Sequence, residues 1–413
     1  MTMEVTTKKI LFVSARLPFP AIEGHQIRAY GVLKQLSRYS EVHLLSILRP
    51  GENVEVGNEL SQNCHSIVGI QLKSGLINNF KAAAQSLRRT LPLVVSKYVS
   101  NELKQVFKKR INEIKPDIVH LDLLMLAELI DCIPSTGIKV ILNEHNVESD
   151  LIRQKIETVT NPITKLVYKR EYKLLLDFEK RACQKSDVVL ACSDNDRLVL
   201  QEFGARDVHT IPNGVDTAKL KPWLKGFNPN HIVFLGGMGW YPNRLGIEWF
   251  FNNVLGKIVE KNKLTHLHLI GNPEPLVEVP KHLSGHVTKH GFVDDFTKVI
   301  GASGIMIVPL HVGSGTRLKV VEAASMGCCM VSTRKGAEGV QLSHGESVMF
   351  ADSAEDFSNT VLALQKSSDD IIRIGDKARK IAEKIYDWYA IGDQLNEIYC
   401  ENRIVKQARL RRI

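Results

Sequence analysis

The feature that most restricts what this chain can become is the apolar run Ile305-Met-Ile-Val-Pro309. It is followed closely by Gly313-Ser-Gly-Thr-Arg-Leu-Lys-Val-Val-Glu322-Ala-Ala-Ser-Met-Gly327. The pattern predicts a buried strand, a glycine-rich turn and a helix opening from the turn. Gly313 and Gly315 let backbone N–H groups approach a ligand closely, and the start of a helix favours an anion there. At a rise of about 1.5 Å per residue, Glu322 lies roughly 7–9 Å beyond that anion site. This is the span from a diphosphate to the vicinal hydroxyls of a ribose. The neighbours Val320, Val321, Ala323 and Ala324 are apolar, and a glutamate in such company is seldom buried without a partner. The alternative is a helix carrying one exposed glutamate. The segment points to a nucleotide diphosphate, and further to a nucleotide sugar.

The rest of the chain repeats the strand-then-helix alternation of a parallel α/β sheet. Short apolar runs at Ile10–Ser14, Val42–Ser46, Ile118–Leu121, Ile138–Leu142 and Asp187–Ala191 read as buried strands. A helix is expected over about 26–36, and a long helical region over roughly 147–185. Composition turns to Pro, Gly and Asn between Pro222 and Asn230, and a second series then begins. Its strands are expected at Ile232–Leu235, His266–Ile270, Ile305–Val308 and Met330–Ser332. The expected division is 1–225 for the first domain and 226–385 for the second. Residues 386–413 are expected to form a last helix. A length of 413 residues is too great for one ordinary core and agrees with two.

No apolar run of about 18 residues is present, so no membrane-spanning helix is expected. Seven scattered cysteines suit a reducing compartment better than a disulfide framework, and the start of the sequence lacks the apolar centre of a signal peptide. The expected location is the cytoplasm. The net charge of +9 is concentrated between Lys73 and Lys115 (with Lys81, Arg88, Arg89, Lys97, Lys104, Lys108, Lys109 and Arg110) and in Lys406–Arg412. An anionic membrane surface is a candidate partner for these charges, which would place the protein peripherally on the inner face of the membrane. A solvated helix face is the plainer explanation. Nucleic acid is not expected, because no recognition motif or aromatic platform accompanies them.

An ordered set of pieces gives the chain a family resemblance. They are Lys8–Ser14, Pro116-Asp-Ile-Val-His120, Asn143-Glu-His-Asn-Val-Glu148, Ala191-Cys-Ser-Asp194 and Ile211-Pro-Asn-Gly-Val-Asp216. Phe234-Leu-Gly-Gly-Met-Gly-Trp-Tyr-Pro-Asn243, the segment around Glu322 and Gly336-Ala-Glu-Gly339 complete it. The set resembles the retaining glycosyltransferases of the GT-B fold in glycosyltransferase family 4 (glycosyl transferases group 1). The Trp-x-Pro-Asn and Gly-Thr-Arg-Leu-Lys variants resemble a bacterial exopolysaccharide branch. The resemblance implies two Rossmann-like α/β domains with parallel sheets facing across a cleft. It implies that 1–225 binds the acceptor and 226–385 the donor, with the helix of 386–413 crossing back to the first domain. It also implies transfer of a sugar from a nucleotide-diphosphate sugar, as co-substrate, to an acceptor hydroxyl with retention. No other cofactor and no essential metal is expected, and the acceptor is expected to be a saccharide or lipid-linked saccharide.

The resemblance also assigns residues. Glu322 matches the second Glu of the family's Glu-x7-Glu motif, which accepts from the ribose hydroxyls. Ser314 stands where the first Glu is expected, so a carboxylate for the donor sugar is missing. Thr316, Arg317 and Lys319 occupy the turn and the start of the helix, where Arg317 and Lys319 would hold the diphosphate or merely solvate the helix start. The Gly-Arg that usually ends the first strand of the second domain is replaced by Gly236-Gly237, and Arg244 is the nearest substitute for the lost charge. Arg244 and Arg317 are therefore expected to share the diphosphate. A neutral His145 would hydrogen-bond the sugar or take the acceptor proton; a satisfied loop histidine is the alternative. Gly24 and Arg28 are expected at the acceptor, with a helix-start glycine and a surface arginine as the alternatives. Phe292 and Val293 either pack the nucleobase or belong to the core. Asp194-Asn-Asp196 resembles a metal motif, but its position at a helix start favours N-capping. A non-transferring epimerase, a catalytically weak scaffold subunit and a dinucleotide oxidoreductase are the competing readings. The third lacks its glycine fingerprint.

Overall fold

In the computed structural model, residues 7–54, 58–72, 84, 86, 88, 90–134, 137–222, 226–271, 277–293, 295–313 and 317–400 are described. The chain divides into two compact units. One runs to Pro212 and resumes at Ile391; the other is Asn213–Ala390.

The first unit is built on seven parallel strands: β1 (Lys8–Ser14), β2 (Ser40–Leu48), β3 (Ser66–Gln71), β4 (Ile118–Asp122), β5 (Lys139–Asn143), β6 (Val188–Ala191) and β7 (Val208–Thr210). Their order is β3-β2-β1-β4-β5-β6-β7, which reverses direction between β1 and β4. Inner strands are covered on both faces, which is why they read as unbroken apolar runs. Ile10 is thus in register with both Val42 and Ile118. Helix Asn101–Ile114 seals one face with Leu103, Phe107, Ile111 and Ile114. It starts at Ser100, whose Oγ accepts from the Leu103 N–H at 3.1 Å, and it ends at Lys115 in the left-handed region, φ 51°.

The helical region expected over 147–185 is two helices, Glu148–Thr158 and Pro162–Lys185. Asn161 causes the break. Its side chain accepts from the N–H groups of Ile163 and Thr164, both at 3.0 Å, and Pro162 occupies the first turn. From Ile391 the helix Trp388–Cys400 lies on this unit: Lys139 Nζ donates to the Ile398 carbonyl at 2.7 Å and Tyr39 to Asp393 at 2.7 Å. Gly392 permits the approach, since a Cβ there would stand 2.8 Å from Arg38 Nη1.

The second unit has six parallel strands: β8 (Asn228–Leu235), β9 (His266–Ile270), β10 (Val287–Gly291), β11 (Ser303–Val308), β12 (Cys329–Ser332) and β13 (Met349–Phe350). They run in the order β10-β9-β8-β11-β12-β13. The division falls before the composition change near residue 225, of which residues 223–225 lie outside the described ones. The reason is hydrogen bonding: the Val215 N–H donates to the Tyr386 carbonyl at 2.8 Å, and Trp388 returns a bond to Val215 at 3.1 Å. Arg379 adds bonds to the carbonyls of Thr217 (2.9 Å) and Leu220 (2.5 Å). Residues 213–222 are thereby fastened to the end of the second unit, and the Pro/Asn-rich stretch only introduces β8.

Candidate functional site

In the second unit the predicted donor residues gather around the start of helix Leu318–Ser325, which follows β11. Of these, Ser314, Gly315 and Thr316 lie outside the described residues. Arg317 is the residue before the first helical turn and is buried. Its guanidinium carbon lies 5.6 Å from the centroid of the Trp240 ring, a cation–π distance. A Cβ on Gly313, whose φ is 114°, would stand 2.8 Å from Arg317 Nη2. The glycine is thus required both by backbone conformation and by the packed arginine.

Lys319 turns inward. Its Nζ donates to Asn243 Oδ1 at 2.7 Å and sits 4.4 Å from the centre of the Phe234 ring. Burial, reinforced by the Arg317 charge and opposed by Glu322, brings its ammonium pKa down to about 7. Burial likewise pushes the Glu322 carboxyl up to about 7, with Lys319 acting the other way. Asn243 is itself held by donation from Nδ2 to the Gly237 carbonyl at 2.9 Å. A Cβ on Gly236 would fall 2.5 Å from Lys319 Nζ and 2.6 Å from Asn243 Nδ2. Gly236, directly after β8, therefore makes room for a lysine and an asparagine.

The structure brings together Gly236, Gly237, Arg317, Lys319 and Glu322. Arg244 follows Asn243 on the helix Tyr241–Phe250, and its Nε lies 4.0 Å from Glu248. Lys319 is the cation beside the Gly236 turn. Phe292 and Val293 separate, Phe292 being 65% exposed and Val293 packing on the core. Asn243 and Trp240 had a sequence signal in the Trp-x-Pro-Asn motif, but no role could be assigned without the contact to Lys319 and Arg317.

In the first unit the polar residues collect where β4 and β5 end. Asp122 and Asn143 are in register. Asp122 Oδ1 accepts from Asn143 Nδ2 at 2.8 Å and lies 2.9 Å from His145 Nε2. A carboxylate only accepts, so Nε2 carries hydrogen and Nδ1 is the nitrogen left to meet a ligand. Burial acts to raise the Asp122 carboxyl, but the charges and hydrogen bonds of His145 and His120 hold it well below the usual range. Leu123, next in the chain, has φ 95°, a strained value for a branched residue. Its N–H bonds the Asn143 carbonyl at 3.0 Å.

Arg28 is buried rather than on the surface. Its Nη2 donates to Asn143 Oδ1 at 2.7 Å and its Nη1 to the Ile211 carbonyl at 2.7 Å. It braces Asn143, which in turn holds Asp122, the partner of His145. Gly24 opens the helix Gly24–Leu36, and nothing lies within 4 Å of where its Cβ would be. Arg16, missed in the sequence, is buried and bonds Glu23 Oε2 at 2.7 Å, with His25 Nε2 3.0 Å away. Burial and the Arg16 charge bring His25 down to about 4.

Behind His145, Glu144 is buried and its carboxyl is pushed well above the usual range by burial and by Glu179. Glu179 accepts from the N–H groups of Glu148 (2.7 Å) and Ser149 (3.1 Å), capping the helix Glu148–Thr158 from a distant part of the chain. Asp194 and Asp196 sit in the first turn of helix Asp194–Glu202, where Ser193 Oγ accepts from Asp196 N–H at 3.1 Å. The cap is Ser193, and the two aspartates favour the positive helix start.

Among the basic residues, Lys73, Lys81, Arg89 and residues 406–412 lie outside the described ones. Lys104 is bound to Glu128 at 2.7 Å, and Arg110 to Glu113 at 2.8 Å. Among the described residues, no helix is long and apolar enough to cross a membrane.

Known proteins agree with this architecture. Residues 229–367 match the family "Glycosyl transferases group 1", and residues 62–219 match "Glycosyltransferase Family 4". An uncharacterized 44.6 kDa protein in the cps region of Klebsiella pneumoniae is 22% identical over 394 residues, covering 92% of this chain and 96% of that protein. Sucrose-phosphate synthase from Thermosynechococcus elongatus superposes with a TM-score of 0.69 at 16% identity, over 97% of this chain and all of the other. Anabaena HepE, solved in complex with UDP-glucose, gives 0.62 at 14% identity, over 95% and 99%. With two parallel sheets of seven and six strands, both matched family regions and these likenesses, the chain belongs to the group 1, family 4 glycosyltransferases of the GT-B fold.

Proposed function

We propose that this transferase uses a nucleotide-diphosphate sugar, moves a hexosyl group with retention and without an essential metal, and works in polysaccharide or envelope glycan synthesis. The observation that carries the donor reading is the set Arg317, Lys319 and Glu322 at the head of one helix, with Gly313 and Gly236 packed against the two cations. The leaving diphosphate gathers negative charge in the transition state, and a buried cation aimed at it is worth far more than one in water. Lys319 and Arg317 would supply that charge, and Glu322 would accept from the ribose hydroxyls. Arg244 remains a candidate for the outer phosphate, and Phe292 for the nucleobase. In the first unit His145 would bond the sugar or take the acceptor proton through Nδ1. Gly24 leaves room for an acceptor, while Arg28 acts by positioning.

The Klebsiella relative's place in a cps region supports the polysaccharide setting. A saccharide or lipid-linked saccharide is the proposed acceptor, with the protein in the cytoplasm and peripheral on an anionic membrane.

The test is thermal stabilisation by a panel of nucleotides and nucleotide sugars, comparing wild type with Glu322→Ala. A ligand at about 100 times its Kd adds roughly 2.7 kcal/mol. Stabilisation of the wild type by one nucleoside diphosphate series, lost in the variant, is the expected result. If no nucleotide stabilises the wild type, the donor reading fails and a binding or scaffold role takes its place.

A further inference from the structure

The helix Pro162–Lys185 rests on the first unit through Leu175, Phe178, Glu179 and Ala182, all in its second half. Its first turns carry large apolar side chains outward instead. Ile163, Leu166 and Val167 are 75%, 70% and 53% exposed. Their i, i+3, i+4 spacing places them on one side of the helix. A single exposed aliphatic residue needs no explanation, but three adjoining ones on one helical face do.

The same stretch is cationic. Lys169 stands one turn beyond Leu166 and Lys173 one turn beyond Lys169, and both are exposed. The acid among them is occupied elsewhere, since Glu171 accepts from the Leu93 N–H at 2.8 Å and pairs with Arg170 at 2.5 Å. Arg170 also donates to the Ser86 carbonyl at 3.3 Å, and Arg88, close to Ser86 in the chain, is exposed. An apolar stripe edged by lysines is what an interfacial helix presents to a bilayer, the aliphatic groups entering and the ammonium groups staying at headgroup level. Three aliphatic side chains fall far short of the roughly 800 Å² per partner that a stable protein interface buries. Such a patch suits a surface that needs no shape complementarity.

We infer that Ile163, Leu166 and Val167, with Lys169 and Lys173 beside them, dock the first unit on an anionic phospholipid surface. This deepens the membrane reading proposed above and gives it a location, in residues other than the basic stretch at 73–115.

Co-sedimentation of the full chain with sucrose-loaded vesicles tests it, using phosphatidylcholine alone and phosphatidylcholine mixed with phosphatidylglycerol. Wild type is expected to sediment with the mixed vesicles, and to be released by salt. Ile163→Asp/Leu166→Asp is expected to weaken binding about tenfold or more, and Lys169→Glu/Lys173→Glu to remove the preference for the anionic lipid. All four positions are on the surface, so thermal stability and any nucleotide-induced stabilisation should stay at wild-type values and exclude misfolding. If the wild type remains in the supernatant with both vesicles, the membrane reading itself is overturned. Wild type and variants sedimenting alike would keep the membrane reading but refute this surface. A wild-type dimer that Ile163→Asp disperses, with no vesicle binding, would make the stripe a contact between copies and refute lipid docking.

Discussion

Lys319 Nζ donates to Asn243 Oδ1 at 2.7 Å, joining the helix after β11 to the helix after β8 beneath the turn at Gly236. The contact explains why a glycine stands at 236, directly after β8, and why the buried lysine keeps a fixed position. It also orients the charge that the donor reading requires.

Adding a methyl group at Gly236 tests that arrangement. In Gly236→Ala the Cβ meets Lys319 Nζ at 2.5 Å and Asn243 Nδ2 at 2.6 Å, both ends of side chains able to shift. Donor affinity is expected to fall about tenfold, with a stability loss near 1 kcal/mol. Gly271→Ala behaves differently, because its Cβ would meet the backbone carbonyl of Gly236. There the stability loss should be the larger effect. Calorimetric titration and thermal unfolding of both variants separate the two.

Lys319 links nucleotide binding to protons. Its pKa is brought down to about 7, so the ligand-free protein loses that charge as pH rises through 7. A diphosphate favours the charged form, and binding should therefore take up a proton. Affinity should decline as pH rises above 7. Titration at about pH 8 in buffers of different ionisation enthalpy should give uptake approaching one proton per nucleotide, absent in Lys319→Met. Equal heats in all buffers would count against the assignment.

Asp122 fixes the ring of His145. Asp122→Asn keeps the shape but places an amide where Nε2 needs a carboxylate, 2.9 Å away. A loss of roughly 10–100-fold in kcat, with donor KM little changed, is the expected result. A parallel rise in donor KM would mean that Asp122 serves binding instead.

A row of imidazoles crosses β8, β9 and β10. His268 lies 3.0 Å from His290 and 3.2 Å from His231, nitrogen to nitrogen. Burial, and the neighbouring histidines after it, bring His268 down to about 4 from 6.5. The unfolded chain binds more protons between those values, so His268, held neutral by the fold, contributes stability above about pH 6.5 that is lost as pH falls toward 4. His268→Asn should flatten the fall of Tm across that window by about 2 °C. An unchanged profile would show that the row does not control it.

The sequence alone determined the two-unit α/β architecture and the inner strands, because strands covered on both faces must be apolar throughout. β3, β7, β10 and β13 had no such signal. All four are sheet edges, half covered and mixed in composition, and only pairing with a neighbour defines them. The glycine at the end of β8, the place of Glu322 in the helix after β11 and that of His145 just beyond β5 were likewise legible, since they depend on local order along the chain. What the tertiary structure decided was partnership. Arg28 turned out to be a buried brace, Lys319 was brought to the Gly236 turn, and Asp122 was set against His145. Each depends on residues 21 to 183 positions away in sequence meeting at strand ends. Such distances carry no periodicity to read, so only the packed sheets could choose which charge is buried and what it faces.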